Sequence, residues 1–331
     1  MAIFLFISSL LFLLFCVGHS HEHDSEQNNL DSHSHQHIHS HKCGYTGPSH
    51  DQTKQIQNDL QEYRQMMGGK EDLSASKRET ITVQTYFHVL STENGTGELN
   101  DTVIEKQMEV LNDAFRGVTS SYGECGGLFE YKDMPSSPFV FNLTEVIRTA
   151  DDEAFDGMSD ESFVRRADLR RGTCSDLNIF SGNADLLGFA YFPANCQFDI
   201  GIDMVFINYR TVPDGSFDFF NEGDTLVHEV GHWLGLEHTF YKGCNLFNME
   251  LSFGFRCRNG ENAGDFISDT PAQSSASFGC QIGRDSCPRQ AGDDPIHNFM
   301  DYSDDCCMYT FTDEQIERMV LQAGLYRDLF A

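Results

Sequence analysis

Positive charge is scarce in this 331-residue chain: 22 Lys and Arg stand against 51 Asp and Glu, a formal net charge of −29. So acidic a chain repels polyanions, which excludes nucleic acid and anionic membrane surfaces as partners. Long apolar runs are missing as well. The run Ile3 to Val17 falls short of the roughly 20 residues a helix needs to cross a bilayer. No Lys or Arg precedes it, a departure from the usual leader. Its length, and the Val17-Gly18-His19-Ser20 that follows, still suit a signal peptide over 1–18. The expectation is a secreted, extracellular protein without stable membrane association.

Cysteine is not lacking. Eleven are present, ten once Cys16 leaves with the signal, a density that in a secreted chain points to a disulfide framework. Sequons at Asn94, Asn100 and Asn142 agree with passage through a secretory pathway. Nine of the fourteen histidines crowd into His19 to His50, among Ser, Asp and Gln. Such a tract cannot bury a core. It reads either as loose transition-metal binding or as a solvated pro-segment. With the Gln-rich stretch that follows, ending in Lys70, Lys77 and Arg78, it makes 19–78 a largely disordered pro-segment with cleavable sites.

The chemistry concentrates in His228-Glu229-Val230-Gly231-His232-Trp233-Leu234-Gly235-Leu236-Glu237-His238. On a helix, positions i and i+4 share a face, so His228 and His232 can address one metal ion. Glu229 is placed to reach a water there without ligating. Gly235 can adopt positive φ, end the helix and bring His238 round as a third ligand. Three imidazoles and an open position describe a catalytic zinc site, not a closed structural one. A methionine turn at Asn298-Phe299-Met300-Asp301-Tyr302 completes the metzincin pattern.

The match can be narrowed. Thr239-Phe240 follows the third His, and His297-Asn298-Phe299-Met300-Asp301-Tyr302-Ser303-Asp304-Asp305 surrounds the Met. Between them lies Gly264-Asp265-Phe266-Ile267-Ser268-Asp269-Thr270-Pro271; upstream are Asp176 to Phe180 and Leu186 to Ala190. From about Thr80 to the C-terminus the chain resembles the pappalysin (cytophagalysin) family, in particular its fungal-type secreted proteases.

That resemblance implies an α+β, zincin-like catalytic domain over 79–331. A twisted mixed sheet with a backing helix and an active-site helix (79–238) would stand above an irregular, disulfide-stapled subdomain with the Met-turn (239–331). It implies a zinc endopeptidase acting on proteins or peptides, with Glu229 as general base, Tyr302 as a hydrogen-bond donor to the tetrahedral intermediate, and Met300 as a floor beneath the ligands. Cys43, followed by Gly44, resembles a pro-segment cysteine that blocks the zinc and keeps the enzyme latent; an ordinary disulfide partner is the other reading. Asp265, Asp269 and the Thr270 carbonyl resemble a calcium loop, although the same residues could close turns. The family pairing implies Cys244–Cys280, and Cys287 with Cys306 or Cys307; Cys174–Cys196 and Cys125–Cys257 complete the scheme. His297 is expected to be structural. The oligomeric state is left open.

Elsewhere the elements read from pattern. Thr80 to Leu90 is β-branched and aromatic, hence a strand. Thr102 and Glu105 suggest a capping box before the apolar stripe Ile104, Met108, Leu111, Phe115. Further strands fall at Phe139 to Val146, Asp176 to Phe180 and Gly201 to Asn208, and Leu186 to Pro193 resembles the family's edge strand. Asp160 to Arg171 is a polar helix or loop whose arginines (165, 166, 170, 171) pair locally. Thr312 and Gln315 cap a closing helix. Other classes remain in view: an extracellular metal scavenger, which does not need Glu229; a dead homologue used for binding; and an astacin- or reprolysin-like metzincin, disfavoured by Thr239 where those carry an acidic residue.

Overall fold

The computed structural model describes residues 43–44, 48–66, 79–118, 134–241, 243–244 and 264–329. The expected signal peptide, most of the His-rich tract, the Lys70–Arg78 stretch and both members of the expected Cys125–Cys257 pairing lie outside the described residues. In chain order the elements are α1 (His50–Met66), β1 (Ile81–Ser91), α2 (Asp101–Phe115), β2 (Phe139–Ala150), α3 (Asp152–Phe155), α4 (Asp160–Leu169), β3 (Leu177–Gly182), β4 (Gly188–Ala190), α5 (Pro193–Cys196), β5 (Val205–Asn208), α6 (Asp224–Trp233) and α7 (Asp313–Tyr326).

The sheet runs β2-β1-β3-β5-β4, parallel throughout except for the antiparallel edge strand β4. β3 and β5 are buried at every residue, as is β1 from Phe87 to Ser91, whereas the first half of β1 alternates between buried and more exposed positions. On one face α2 presents Ile104, Met108, Leu111 and Phe115, and α6 presents Leu226, Val227, Val230 and Trp233, to Val83, Phe87, Ile179 and Val205. Each such fully buried aliphatic side chain contributes roughly 1.5–3 kcal/mol. On the other face Phe155, Phe180, Phe189 and Phe206 form a second cluster.

Two expectations shift. The cap of α2 is Asn100, whose Oδ1 accepts from Val103 N at 3.0 Å; the helix has already begun at Asp101, so Thr102 lies inside its first turn and forms no capping box there. Nor is the stretch, expected to be a largely disordered pro-segment, without order over 50–66. There Ile56 and Leu60, four apart on one helix face, are buried against Leu321 and Tyr326. The polar composition hid a narrow apolar stripe that α7 completes.

Two of the four arginines pair with carboxylates as expected, while Arg166 and Arg171 bond backbone carbonyls. Arg165 bridges to Asp151 and Glu161, and Arg170 pairs with the buried Asp203. Arg166 is buried over the Phe206 ring at 4.5 Å, and desolvation lowers its pKa to about 10.

Below the sheet, 264–311 holds little regular structure and is stapled. Cys174–Cys196 forms as expected. The other two pairings are corrected: Cys244 joins Cys287, not Cys280, and Cys280 joins Cys307. Local hydrogen bonds dictate both. Ser286 Oγ accepts from Ser274 N at 2.9 Å and the Cys244 sulfur lies 3.5 Å from Ser286 O, which sets 287 beside 244. Gly279 and Asp304 exchange bonds at 3.2 Å, laying 280 beside 307. Cys306 is also disulfide-bonded.

The capping box of α7 forms as the sequence suggests, with Thr312 and Gln315 bonding reciprocally. This helix then closes the C-terminal end of α6. Arg318 Nε and Gln322 Nε2 donate to Gly235 O at 3.1 and 2.6 Å, and Arg327 Nε donates to Trp233 O at 3.0 Å. Side chains thereby satisfy carbonyls that a helix end leaves orphaned.

Candidate active site

Helix α6 is buried along its whole length, so its i, i+4 histidines cannot fray apart. After Leu234 the chain reverses at Gly235, φ +97°, with Gly235 N donating to His232 O at 2.8 Å and Leu236 N to Gly231 O at 2.9 Å. A Cβ at Gly235 would lie 2.0 Å from Gln322 Nε2, so both the conformation and the space demand glycine. The reversal delivers His238. The three Nε2 atoms then stand 3.1 Å (His228–His232), 3.0 Å (His232–His238) and 3.2 Å (His228–His238) apart.

The far side of each ring decides what that cluster is. His228 Nδ1 donates to Phe299 O at 2.6 Å and His232 Nδ1 to Leu236 O at 2.7 Å. With the proton committed to Nδ1, these Nε2 atoms turn bare lone pairs toward one point. Burial first, and mutual repulsion second, hold His232 and His238 neutral, well below the ordinary imidazole range. Convergent lone pairs repel unless a cation lies between them. A tetrahedral zinc with bonds of about 2.0–2.1 Å sets its nitrogen ligands about 3.3 Å apart, close to the spacing seen. Neutral imidazoles also suit such an ion.

The turn beneath the cluster is fixed from α7. Asn298 and Gln315 exchange amide bonds at 2.8 and 3.0 Å, and Asn298 Oδ1 accepts from Met300 N at 3.0 Å. Met300 is fully buried below α6: a Cβ added at Gly231, between the two helix histidines, would lie 2.5 Å from its sulfur. Thr239 N donates to Met300 O at 3.2 Å, and Thr239 Oγ1 to Gln273 Oε1 at 2.6 Å. Gln273 in turn donates to Asp301 at 2.9 Å. The threonine after the third histidine is thus tied into the same turn.

Two further groups face the cluster. Glu229 is 1% exposed, and desolvation raises its carboxyl to about 8, an effect that the Cys43 thiol beside it offsets in part. That thiol donates to Glu229 Oε2 at 3.5 Å, and its sulfur lies with the three imidazoles in one group whose ligand atoms are all within 4.8 Å of one another. Cys43 is free of disulfides and pairs with Gly188 on the edge strand as an isolated parallel bridge. Gly44 N donates to Gly188 O at 2.9 Å. Tyr302 hydrogen-bonds the same cysteine through thiol and backbone, and burial drives its phenol far above the ordinary range. A small cavity beside the cluster is lined by Leu187, Phe220, Thr225, Tyr302, Ser303 and Asp305, among others.

The remaining sequence candidates lie elsewhere. Asp265 accepts from Thr270 Oγ1 at 2.9 Å and Ile267 N at 3.2 Å, and Asp269 Oδ2 accepts from Glu314 N at 3.0 Å, so each carboxylate closes a turn or caps α7. His297 Nδ1 donates to Cys307 O at 2.7 Å and its ring stacks on Tyr309, away from the cluster. Gly188 was missed by sequence reasoning. A Cβ there would lie 2.8 Å from both Glu229 Cγ and Phe206 O, so a glycine is what lets the edge strand approach the carboxylate. Its stretch, Leu186 to Ala190, carries the family resemblance, but the sequence alone does not tell that the glycine faces Glu229.

A family model described as pregnancy-associated plasma protein-A, of the M43 peptidases, matches residues 175–323. An extracellular metalloprotease of Pyricularia oryzae is 40% identical over 260 residues, covering 76% of this chain and 78% of the relative. The chain belongs to the M43 (pappalysin) family of metallopeptidases. A second relative, an extracellular metalloprotease of Colletotrichum graminicola, is 37% identical over 292 residues, covering 86% of this chain and 91% of its own. Among solved structures, a promirolysin mutant of Tannerella forsythia superposes with a TM-score of 0.64 at 25% identity, over 87% of this chain and 96% of that one. Mature mirolysin with a cleaved peptide gives 0.60 at 26% identity, over 76% and 97%. This M43 chain is accordingly an extracellular metalloprotease with the mixed sheet of that family. No helix among the described residues is long and apolar enough to cross a membrane.

Proposed function

We propose that the chain is a zinc endopeptidase made as a latent precursor, with His228, His232 and His238 as the metal ligands, Glu229 as general base and Cys43 as the group that blocks the site. The observation that carries the reading is the convergence of three Nε2 lone pairs beside a buried carboxylate, with a thiol on their open side. A zinc ion, when bound, supplies a Lewis acid and a water of lowered pKa.

The protein's own residues do the rest. Glu229 takes a proton from the attacking water and passes it to the leaving amine. Burial, which disfavours the charged carboxylate, helps it hold that proton between the two transfers. Strand β4 offers backbone groups to an extended peptide, the same groups that Gly44 now uses. Tyr302, released from Cys43, is within reach of the cluster to donate to the tetrahedral oxyanion. Met300 and the 298–302 turn keep the imidazoles from rotating. No calcium ion enters the proposal: Asp265 accepts hydrogen bonds within its own turn, and Asp269 accepts one from the first turn of α7.

The test uses the purified precursor, its Cys43→Ala variant and the processed form. Cleavage followed by removal of the pro-segment, or Cys43→Ala, is expected to yield peptide hydrolysis that a chelator removes and zinc restores, and Glu229→Ala to lower it by about 10²–10⁴-fold in the form stripped of the pro-segment. Full activity in Glu229→Ala, or latency unchanged in Cys43→Ala, contradicts the proposal. A metal-scavenging reading is disfavoured by the same carboxylate, which storage does not require.

A further inference from the structure

The cysteine is not the only place where 43–66 touches the rest of the molecule. Helix α1 lies on a surface made by α7, with α5 beside it, separate from the imidazole cluster. Ile56 and Leu60, 4% and 6% exposed, share a buried apolar group with Leu321 and Tyr326. Polar contacts ring that group. The Tyr326 hydroxyl donates to Asp59 Oδ2 at 2.9 Å, and Arg64 Nη2 lies 2.9 Å from Glu317 Oε1. Gln57, with its amide oxygen turned toward Arg318, accepts from both Nη1 and Nη2 at 3.1 Å. An apolar centre with a polar rim is the anatomy of a specific interface.

We propose that this face of α7 is a docking site for the pro-segment helix that binds α1 independently of the Cys43 thiol, so that the pro-segment stays bound and inhibitory after the backbone is cut. The proposal rests on the latent-precursor reading above. The argument is one of effective concentration. Only six residues separate Cys43 from His50, the first residue of α1. A docked helix therefore holds the thiol beside the cluster at a high local concentration, and the two contacts together bind far more tightly than either alone. A single weak thiol contact would leave the site as soon as the chain was severed. Arg318 strengthens the link, since it also donates to the carbonyl of Gly235, the residue that turns His238 into place.

The docking has a direct test. A recognition sequence for a site-specific endopeptidase replaces residues 72–77 in the full chain, the chain is cut there, and the products are separated by size under native conditions. The pro-segment is expected to remain with the catalytic part in the wild-type background, and also in Cys43→Ser, where the thiol no longer holds it. In Ile56→Asp/Leu60→Asp it is expected to separate although Cys43 is intact, with Cys43 alkylation by iodoacetamide at least tenfold faster in the uncut protein. Arg64→Glu should weaken retention and Glu317→Arg in the same chain restore it, which a folding defect would not do. Loss of the pro-segment in Cys43→Ser with retention in the double variant overturns the proposal. Retention and alkylation are read without any peptidase assay, so a failure of the peptidase reading would show separately, as absence of hydrolysis after the pro-segment has been stripped.

Discussion

Gly235→Ala is the sharpest perturbation of the ligand geometry that leaves every ligand in place. Alanine at φ +97° sits in the left-handed region, where an L side chain costs roughly 1–2 kcal/mol. Its Cβ would also lie 2.0 Å from Nε2 and 2.1 Å from Cδ of Gln322. That amide is fully buried and donates to Gly235 O at 2.6 Å, so moving it leaves a buried polar group unpaired, about 1–3 kcal/mol more. The total is about 3 kcal/mol, or roughly 6–12 °C in melting temperature for a domain of this size. Thermal unfolding of the zinc-loaded precursor measures it. The two parts separate in a double-mutant cycle: Gln322→Ala removes the obstacle, so Gly235→Ala should be at least 1 kcal/mol milder in that background. Additive effects, or a loss below about 0.5 kcal/mol for Gly235→Ala alone, would refute the reasoning that this turn is sterically specified.

Asp203 is fully buried between Arg327, at 2.9 Å, and Arg170, at 3.0 Å. Asp203→Ala leaves Arg327 buried without its partner and is expected to destabilise by about 3–5 kcal/mol in denaturant titrations, whereas exposed pairs such as Lys106–Asp214 should give well under 1 kcal/mol. His88 gives a pH dependence. Desolvation lowers its pKa to about 4, its Nε2 meets Asn178 Oδ1 at 3.0 Å and its ring stacks on Phe180. The unfolded chain therefore binds more protons between pH 4 and 6.5. The stability is fully present above about 6.5 and falls by up to about 3 kcal/mol as pH drops to about 4. His88→Phe keeps the stack, and Asn178 Oδ1 keeps Arg171 N, so its acid slope at saturating zinc should be shallower; an unchanged slope would remove His88 as the cause.

Much of the site was legible because the residues that converge in space are close in sequence. His228, His232, Gly235 and His238 are fixed by helix period and one positive-φ turn, both of which spacing encodes. The apolar stripe of α2 and the α7 capping box were legible for the same reason. What was not legible depends on distant partners. Ile56 and Leu60 form a stripe only two residues wide, which means nothing until Leu321 and Tyr326 are known to face it. The Cys244–Cys287 and Cys280–Cys307 pairings follow from Ser286 and Asp304 bonding across an irregular loop, and no local periodicity foretells that. Gly188 is required by the approach of Glu229 from another element, some forty positions later in the chain. Asn100 took the cap from Thr102 by two residues, within the ordinary uncertainty of a helix boundary.

X-ray absorption at the zinc edge, on the precursor and on the processed form, reaches the central claim most directly. The cluster is expected to give a first shell of three nitrogens with one sulfur in the precursor, and three nitrogens with one oxygen after processing. A shell without sulfur in the intact precursor would contradict the assignment of Cys43, and one without three imidazole nitrogens in either form would contradict the site itself.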